Sequence, residues 1–346
     1  MPQQTPAQLG FFMPAEWAEH EATWLAWPHN EETWPGKRLA VVEETYLQML
    51  EGLLAGEKVH LLVNDAKEKD YVLKRLANRR QSPKNLILHE VPTVDAWIRD
   101  YGPTFIKDQS GKKAWNKWIF NAWGGKYESL MEDTKVFDRY AALIPYPCFK
   151  IDLVLEGGSI EVNGEGTCLV TEQCLLNSNR NPQLSREKIE EDLRHYLGVE
   201  QILWIKEGIA GDDTDGHIDD IVRFVGPRTI VSALEDDPKD ENCPILKDNW
   251  KRLKSFSDPK GHKWELVPFP MPGKIADKGV RLPASYANFL IANAVVLLPV
   301  FGHKNDERAA RILKELFPKR DIVPIHCTDL VYGLGAIHCV TQQEPA

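Results

Sequence analysis

The chain has 346 residues, 43% hydrophobic and 27% charged, which is enough apolar material for a large core and excludes a disordered polypeptide. Its formal net charge of −9 argues against nucleic acid or an anionic membrane as the main partner and suits a cationic one. Six cysteines (Cys148, Cys168, Cys174, Cys243, Cys327 and Cys339) include no C-x-x-C pair, so they fit a reduced compartment and give neither a disulfide framework nor a zinc knuckle.

The opening residues carry no basic region followed by an apolar core, so no secretory leader is expected and the cytoplasm is the default. The longest apolar stretch, near 287–301, contains Asn288, Asn293 and Pro299 and is too short to span a bilayer. Taken in chain order, strand 58–63 leads to a helix near 66–77, where Val72, Leu73 and Leu76 share a face, and then to strand 86–89. Strand 114–120 leads to a helix near 131–142 (Val136, Phe137, Tyr140, Ala141) and then to strand 150–155. Strand 167–170 precedes a helix opened by Ser185 and closed by Gly198, with Ile189, Leu193, Tyr196 and Leu197 at helical spacing, and then strand 201–205. Strand 229–233 leads to a helix after Pro244 (Leu246, Trp250, Leu253) and on to strand 264–267. Strand 294–299 leads to a helix near 306–316 (Ala309, Ile312, Leu313, Leu316) and on to strand 321–325.

These five units begin near residues 58, 114, 167, 228 and 294. Similar units of this length favour a closed ring over two independent domains, because each can bury its faces against its neighbours. An ordinary doubly wound α/β sheet is the alternative.

The loops after the return strands hold the reactive side chains. The first runs from Val94 to Pro103 and contains Trp97, Arg99 and Asp100; the second opens Glu156-Gly157-Gly158. The third carries Asp212-Asp213-Thr214-Asp215-Gly216-His217-Ile218-Asp219-Asp220, and the fifth Gly333-Leu334-Gly335-Ala336-Ile337-His338-Cys339. Only the fourth, 268–285, offers no obvious catalytic group. Singly, each has a bland explanation: a lone Cys is usually a small buried apolar residue, and Asp/Gly-rich stretches are usually turns. Their corresponding places in the repeat argue otherwise, since equivalent loops of a ring face one axis. Three of them also set polar residues between apolar strands, where burial costs several kcal/mol unless paired.

The runs Trp97-Ile-Arg-Asp-Tyr-Gly-Pro103, Glu156-Gly-Gly158, Gly216-His-Ile-Asp-Asp220 and Ile337-His-Cys-Val-Thr-Gln-Gln343 resemble the agmatine deiminase and bacterial-type peptidylarginine deiminase family. Met13-Pro-Ala-Glu-Trp17 through Trp27-Pro-His29 is similar to the same family's N-terminus, so the resemblance covers nearly the whole chain. It implies one catalytic domain over 1–346 with the fold of the guanidine-modifying enzymes, an α/β class pentameric propeller of five pseudo-symmetric strand–helix–strand–strand units around a central cavity. It implies Cys339 as nucleophile, His217 as acid/base, and Asp100 and Asp219 as guanidinium-binding carboxylates, with Glu156 in the same pocket and Trp97 at its mouth. Family members carry a run of glycines before the nucleophile, which Leu334 and Ala336 interrupt here, altering the pocket rim.

Such chemistry needs these residue types. A guanidinium is planar and permanently charged, and carboxylates match its fork of N–H donors. Its carbon is a poor electrophile, so a thiolate is the fitting nucleophile, favoured by a neighbouring imidazolium or by the bound cation. No metal or organic cofactor is required, and the expected partner is a small cationic guanidine; the sequence leaves a homo-oligomer open. A zinc hydrolase, a cysteine protease, an amidino transferase and a non-enzymatic binding propeller are the competing readings; His217-x-Asp219 alone supplies at most two metal ligands. Agmatine is the expected substrate, because Asp95, Glu207, Asp212, Asp213, Asp215 and Asp329 are placed at the cavity mouth to draw in a dication. An enzyme for free arginine would need Lys274, Lys278 or Arg281 to meet the substrate carboxylate, and peptidyl-arginine would need an open mouth.

Overall fold

The computed structural model describes residues 4–79 and 83–346, apart from the side chains of Pro83 and Phe137. The first three residues of the opening segment and the side chain of Phe137, expected on the second helix face, therefore lie outside the described residues.

Among the described residues the chain forms five mixed sheets and a two-stranded antiparallel pair of Ala276–Asp277 with Val280–Arg281. The first has the strand order Gln342–Pro345, His20–Ala26, Lys58–Val63, Leu86–Glu90. Its last three strands are parallel, joined across helices Arg38–Leu54 and Ala66–Asn78, and the C-terminal strand pairs antiparallel with His20–Ala26 through Trp24↔Gln342 and Ala22↔Glu344. Each of the other four sheets has a short antiparallel strand, a central strand and a parallel return strand. These are 104–107, 113–119 and 148–154; 161–162, 167–171 and 201–205; 222–224, 229–234 and 265–270; and 290–291, 295–300 and 321–326. Parallel pairing needs a crossover, and helices Arg186–Leu197, Asn242–Ser255 and Asp306–Leu316 supply three of them.

The element boundaries follow local chemistry. The Ser185 hydroxyl accepts from the Lys188 amide, and Gly198, at φ 66°, closes the same helix by donating its N–H to the Arg194 carbonyl. On Ala66–Asn78, Val72 and Leu76 are buried, while Leu73 sits half-buried beside them. Central strands such as Val295–Val300 are apolar throughout because both their faces are covered.

Three expectations are corrected. The helix near 131–142 is broken into a 3-10 segment Ser129–Lys135, a short α turn Val136–Tyr140 and a 3-10 turn Ala141–Leu143. Asp133 is the physical reason: its carboxylate turns inward to accept from the amides of Val94 (2.7 Å) and Asp95 (3.0 Å), which fixes the 3-10 geometry and anchors the first loop. The fourth helix starts at Asn242, ahead of Pro244, whose missing N–H falls in the first turn and loses no helical bond. The first unit starts well before residue 58, with the strand His20–Ala26 and the helix Arg38–Leu54. Among the described residues no helix is long and apolar enough to cross a membrane.

Candidate active site

The loops after the return strands of the first, second and third sheets meet the loop after the fifth. Asp100 sits on the single helical turn Ile98–Tyr101; its Oδ1 accepts from the Gly158 amide (3.0 Å) and its Oδ2 from Trp123 Nε1 (2.8 Å). Glu156, wholly buried, precedes the turn Gly157–Ser159 and accepts from Arg180 Nε at 2.7 Å. His217 Nδ1 lies 3.8 Å from Asp100 Oδ1, and its Nε2 lies 3.9 Å from Glu156 Oε2. Asp219 Oδ2 accepts from or shares a proton with His338 Nδ1 at 2.6 Å, and it stands 3.9 Å from Cys339 Sγ. The Arg99 amide donates to the Cys339 carbonyl at 3.2 Å, tying the first loop to the last.

His217 and Asp219 do not lie on a strand. His217 caps the 3-10 turn Ile218–Asp220. The Asp212 carboxylate accepts from the amides of Thr214 (2.7 Å), Gly216 (3.0 Å) and His217 (3.1 Å), which wraps the loop instead of extending it. Asp219 is thereby aimed at Cys339 and His338.

Gly158 explains why the second motif needs glycine. A Cβ there would stand 2.5 Å from His217 Nδ1, 3.0 Å from Asp100 Oδ1 and 3.1 Å from Asp219 Oδ2. Three functional groups close over one Cα, and no methyl group fits among them. Gly158→Ala should therefore lower kcat/KM by roughly 10²-fold through displacement of these groups. Steady-state kinetics on a variant with a wild-type urea midpoint checks this, and unchanged turnover would refute the geometry.

The charges oppose one another. Burial, together with Asp219 and Glu156, pushes the Asp100 carboxyl up to about 6 despite His217 beside it. For His217 burial acts downward, but Asp100, Cys174 and Glu156 outweigh it and hold the imidazolium well above its usual range. Burial and the carboxylates of Asp219, Asp220 and Asp100 push the Cys339 thiol well up. The site thus keeps a protonated thiol and an imidazolium, and three carboxylates that repel one another.

A cavity of about 550 Å³ opens onto Cys339 and Asp100. Trp97 forms its wall, buried to 5% exposure, with its ring 5.5 Å from Trp34, so it is a fixed wall more than a free rim. Leu334 also lines the cavity, at φ 72°, a left-handed conformation that costs a non-glycine residue about 1 kcal/mol. The expected acids are only partly there. Asp95 and Asp213 line the cavity, with Glu32 and Asp277 added, the latter paired with Arg38 at 2.6 Å. Asp212 is held by its own loop, Asp215 pairs with Arg180 and Lys126, Asp329 with Arg38, and Glu207 with Lys206 away from the cavity. Of the three cations considered for a substrate carboxylate, Lys278 alone lines the cavity; Arg281 is paired with Asp240.

Sequence reasoning assigned no role to Glu16, Asn288, Trp123 or Arg180. The Asn288 amide nitrogen lies 3.1 Å from Cys339 Sγ, and its oxygen accepts from the His338 amide at 2.9 Å. Its signal was a polar residue inside an apolar run. Glu16 bridges His338 Nε2 (2.7 Å) and Arg223 (2.8 Å), extending a buried chain from Asp219 through His338 to Glu161. Burial would raise its carboxyl, but Arg223 and His338 hold it well below its usual value.

Of the converging groups Cys339 and Asp100 line the cavity, while His217, Glu156 and Asp219 are buried beside them, an arrangement that suits an enzyme acting on a cation. The chain belongs to the Porphyromonas-type peptidyl-arginine deiminase family, whose family model matches residues 12–345. It is 38% identical over 365 residues to an agmatine deiminase of Stutzerimonas stutzeri, covering 99% of this chain and 97% of that one. The solved agmatine deiminase of Enterococcus faecalis superposes with a TM-score of 0.90 at 33% identity, covering 100% of this chain and 98% of that one. An amidinotransferase of Microseira wollei shares the fold alone, with a TM-score of 0.52 at 13% identity over 95% of each chain.

Proposed function

We propose that this chain hydrolyses agmatine to N-carbamoylputrescine and ammonia, with Cys339 as nucleophile and His217 as acid/base. The observation that carries the reading is the convergence of Asp100, Glu156, His217, Asp219 and Cys339 around buried polar atoms that have no hydrogen-bond partner among the described residues: Glu156 Oε2, Asp219 Oδ1 and both His217 nitrogens. Buried carboxylate oxygens left bare are costly, and a guanidinium supplies the N–H donors that satisfy them.

Binding of that cation offsets the carboxylate field that holds the proton on Cys339. The thiol then releases its proton to solvent, and the thiolate adds to the guanidinium carbon to give a tetrahedral intermediate. The His217 imidazolium protonates the departing nitrogen, the C–N bond breaks, and ammonia leaves an amidino-thioether on Cys339. Neutral His217 then takes a proton from water, whose oxygen attacks the amidino carbon; the C–S bond breaks and the urea-type product leaves. Asp100, Asp219 and Glu156 hold the guanidinium, and Trp97 flanks the alkyl chain.

Under the same proposal the five sheets are the blades of a pentameric α/β propeller forming one domain over 1–346, closed by the pairing of Gln342–Pro345 with His20–Ala26. Agmatine is favoured over arginine because relatives across the full length carry that name and the cavity acids outnumber its cation. Ammonia release assayed on agmatine, arginine and arginyl peptides should give kcat/KM for agmatine at least about tenfold higher, a difference of about 1.4 kcal/mol. Equal turnover of arginine or the peptides would sink the substrate while sparing the chemistry.

A further inference from the structure

Cys174 takes no part in the proposed reaction, yet it stands against the residues that do. It lies on the turn Glu172–Leu175, which begins directly after the strand Thr167–Thr171, and is wholly buried. Its Sγ, an imidazole nitrogen of His217 and a carboxylate oxygen of Glu156 all lie within 4.8 Å of one another. Both His217 nitrogens and Glu156 Oε2 are buried without a hydrogen-bond partner among the described residues. The other Glu156 oxygen is fixed by Arg180 at 2.7 Å, so Oε2 stays oriented and available.

We propose that Glu156, Cys174 and His217 form an inhibitory site for a thiophilic divalent cation of the zinc type. Thiolate, imidazole and carboxylate are the donors zinc takes, and bonds of about 2.0–2.3 Å set ligand atoms about as far apart as these three can reach with small side-chain shifts. Three protein ligands leave a fourth position for water, and the Arg180 contact orients one ligand in the way outer hydrogen bonds do in metal sites. On binding, the ion displaces two protons to solvent, one from the Cys174 thiol and one from the His217 imidazolium. It occupies His217 and Glu156, so ion and guanidinium exclude each other. Inhibition rests on the role given to His217 above, whereas ion binding does not.

Zinc chloride and cobalt chloride, titrated into chelator-treated protein, test both halves. Wild type and Cys339→Ser should each bind one ion, with a near-ultraviolet thiolate-to-cobalt charge-transfer band. Cys174→Ala should lose the band, bind zinc at least about tenfold more weakly, and resist zinc inhibition, relative to its own metal-free turnover, by the same factor. Loss of the band in Cys339→Ser, unchanged zinc affinity in Cys174→Ala, or no binding to wild type overturns the site. Zinc bound through Cys174 with undiminished turnover overturns the inhibition and the role of His217 together. Should Cys174→Ala not fold, alkylation mapping of cobalt-loaded Cys339→Ser decides, since shielding must fall on Cys174 and shielding of any other cysteine refutes the site.

Discussion

Cys339→Ser is expected to cut agmatine turnover by at least ~10³-fold while leaving the unfolding midpoint in urea close to that of wild type. The buried Sγ accepts from Asn288 and stands 3.9 Å from the Asp219 carboxylate, so a hydroxyl fits the space and the hydrogen bond. What it lacks is an accessible anion. Binding of one guanidinium can offset the field of Asp219, Asp220 and Asp100 on a thiol, but an alcohol starts far higher and stays protonated. Cys148, Cys168, Cys243 and Cys327 stand outside the set of converging groups, and replacing each by Ala should preserve the chemistry. Ammonia release by Cys339→Ser near the wild-type rate would remove the nucleophile from the account.

Asp100→Asn should lower kcat/KM by roughly 10²–10³-fold, because it deletes a charge aimed at the cationic substrate in a water-poor site. It should also change the pH profile. Burial and the neighbouring carboxylates set the Asp100 carboxyl at about 6, so its charge is lost as pH falls through that value. Wild-type kcat/KM should then fall about tenfold per pH unit on the acid side, since this parameter reports groups of the free enzyme. The asparagine variant should lose that limb. A limb near 6 surviving in Asp100→Asn would assign it to another group.

Much of this was legible in the sequence, and the exceptions have physical causes. Apolar runs alternating with amphipathic helices gave four of the five crossover helices, and Ser185 and Gly198 marked their helix ends because capping is a local interaction. The strand Gln342–Pro345 was not legible: Gln-Gln-Glu-Pro is polar by composition, and its burial depends on distant partners. Gln343 accepts from Arg99 at 2.7 Å and Glu344 from Trp24 at 2.9 Å, bonds that span most of the chain. The candidate site residues could be picked out because each sits in a loop after a return strand. Their arrangement was not, because Asp212 turns a segment that reads as extended into a wrapped loop. Glu16 escaped for a related reason: one carboxylate near the N-terminus shows its role only once Arg223 and His338 are beside it. The acids expected at the mouth were over-counted, since backbone amides, arginines and a lysine claim Asp212, Asp215, Asp329 and Glu207, four of the six.

The central claim is a covalent amidino intermediate on Cys339, resolved with the help of His217. It is tested most directly by intact-protein mass spectrometry of a slow His217→Asn variant, quenched in acid after mixing with agmatine. The account predicts an added amidino-alkyl mass on one cysteine, mapping to Cys339 on digestion and absent from the double variant His217→Asn/Cys339→Ser. An adduct on any other cysteine, or steady ammonia release with no adduct at any quench time, would contradict it.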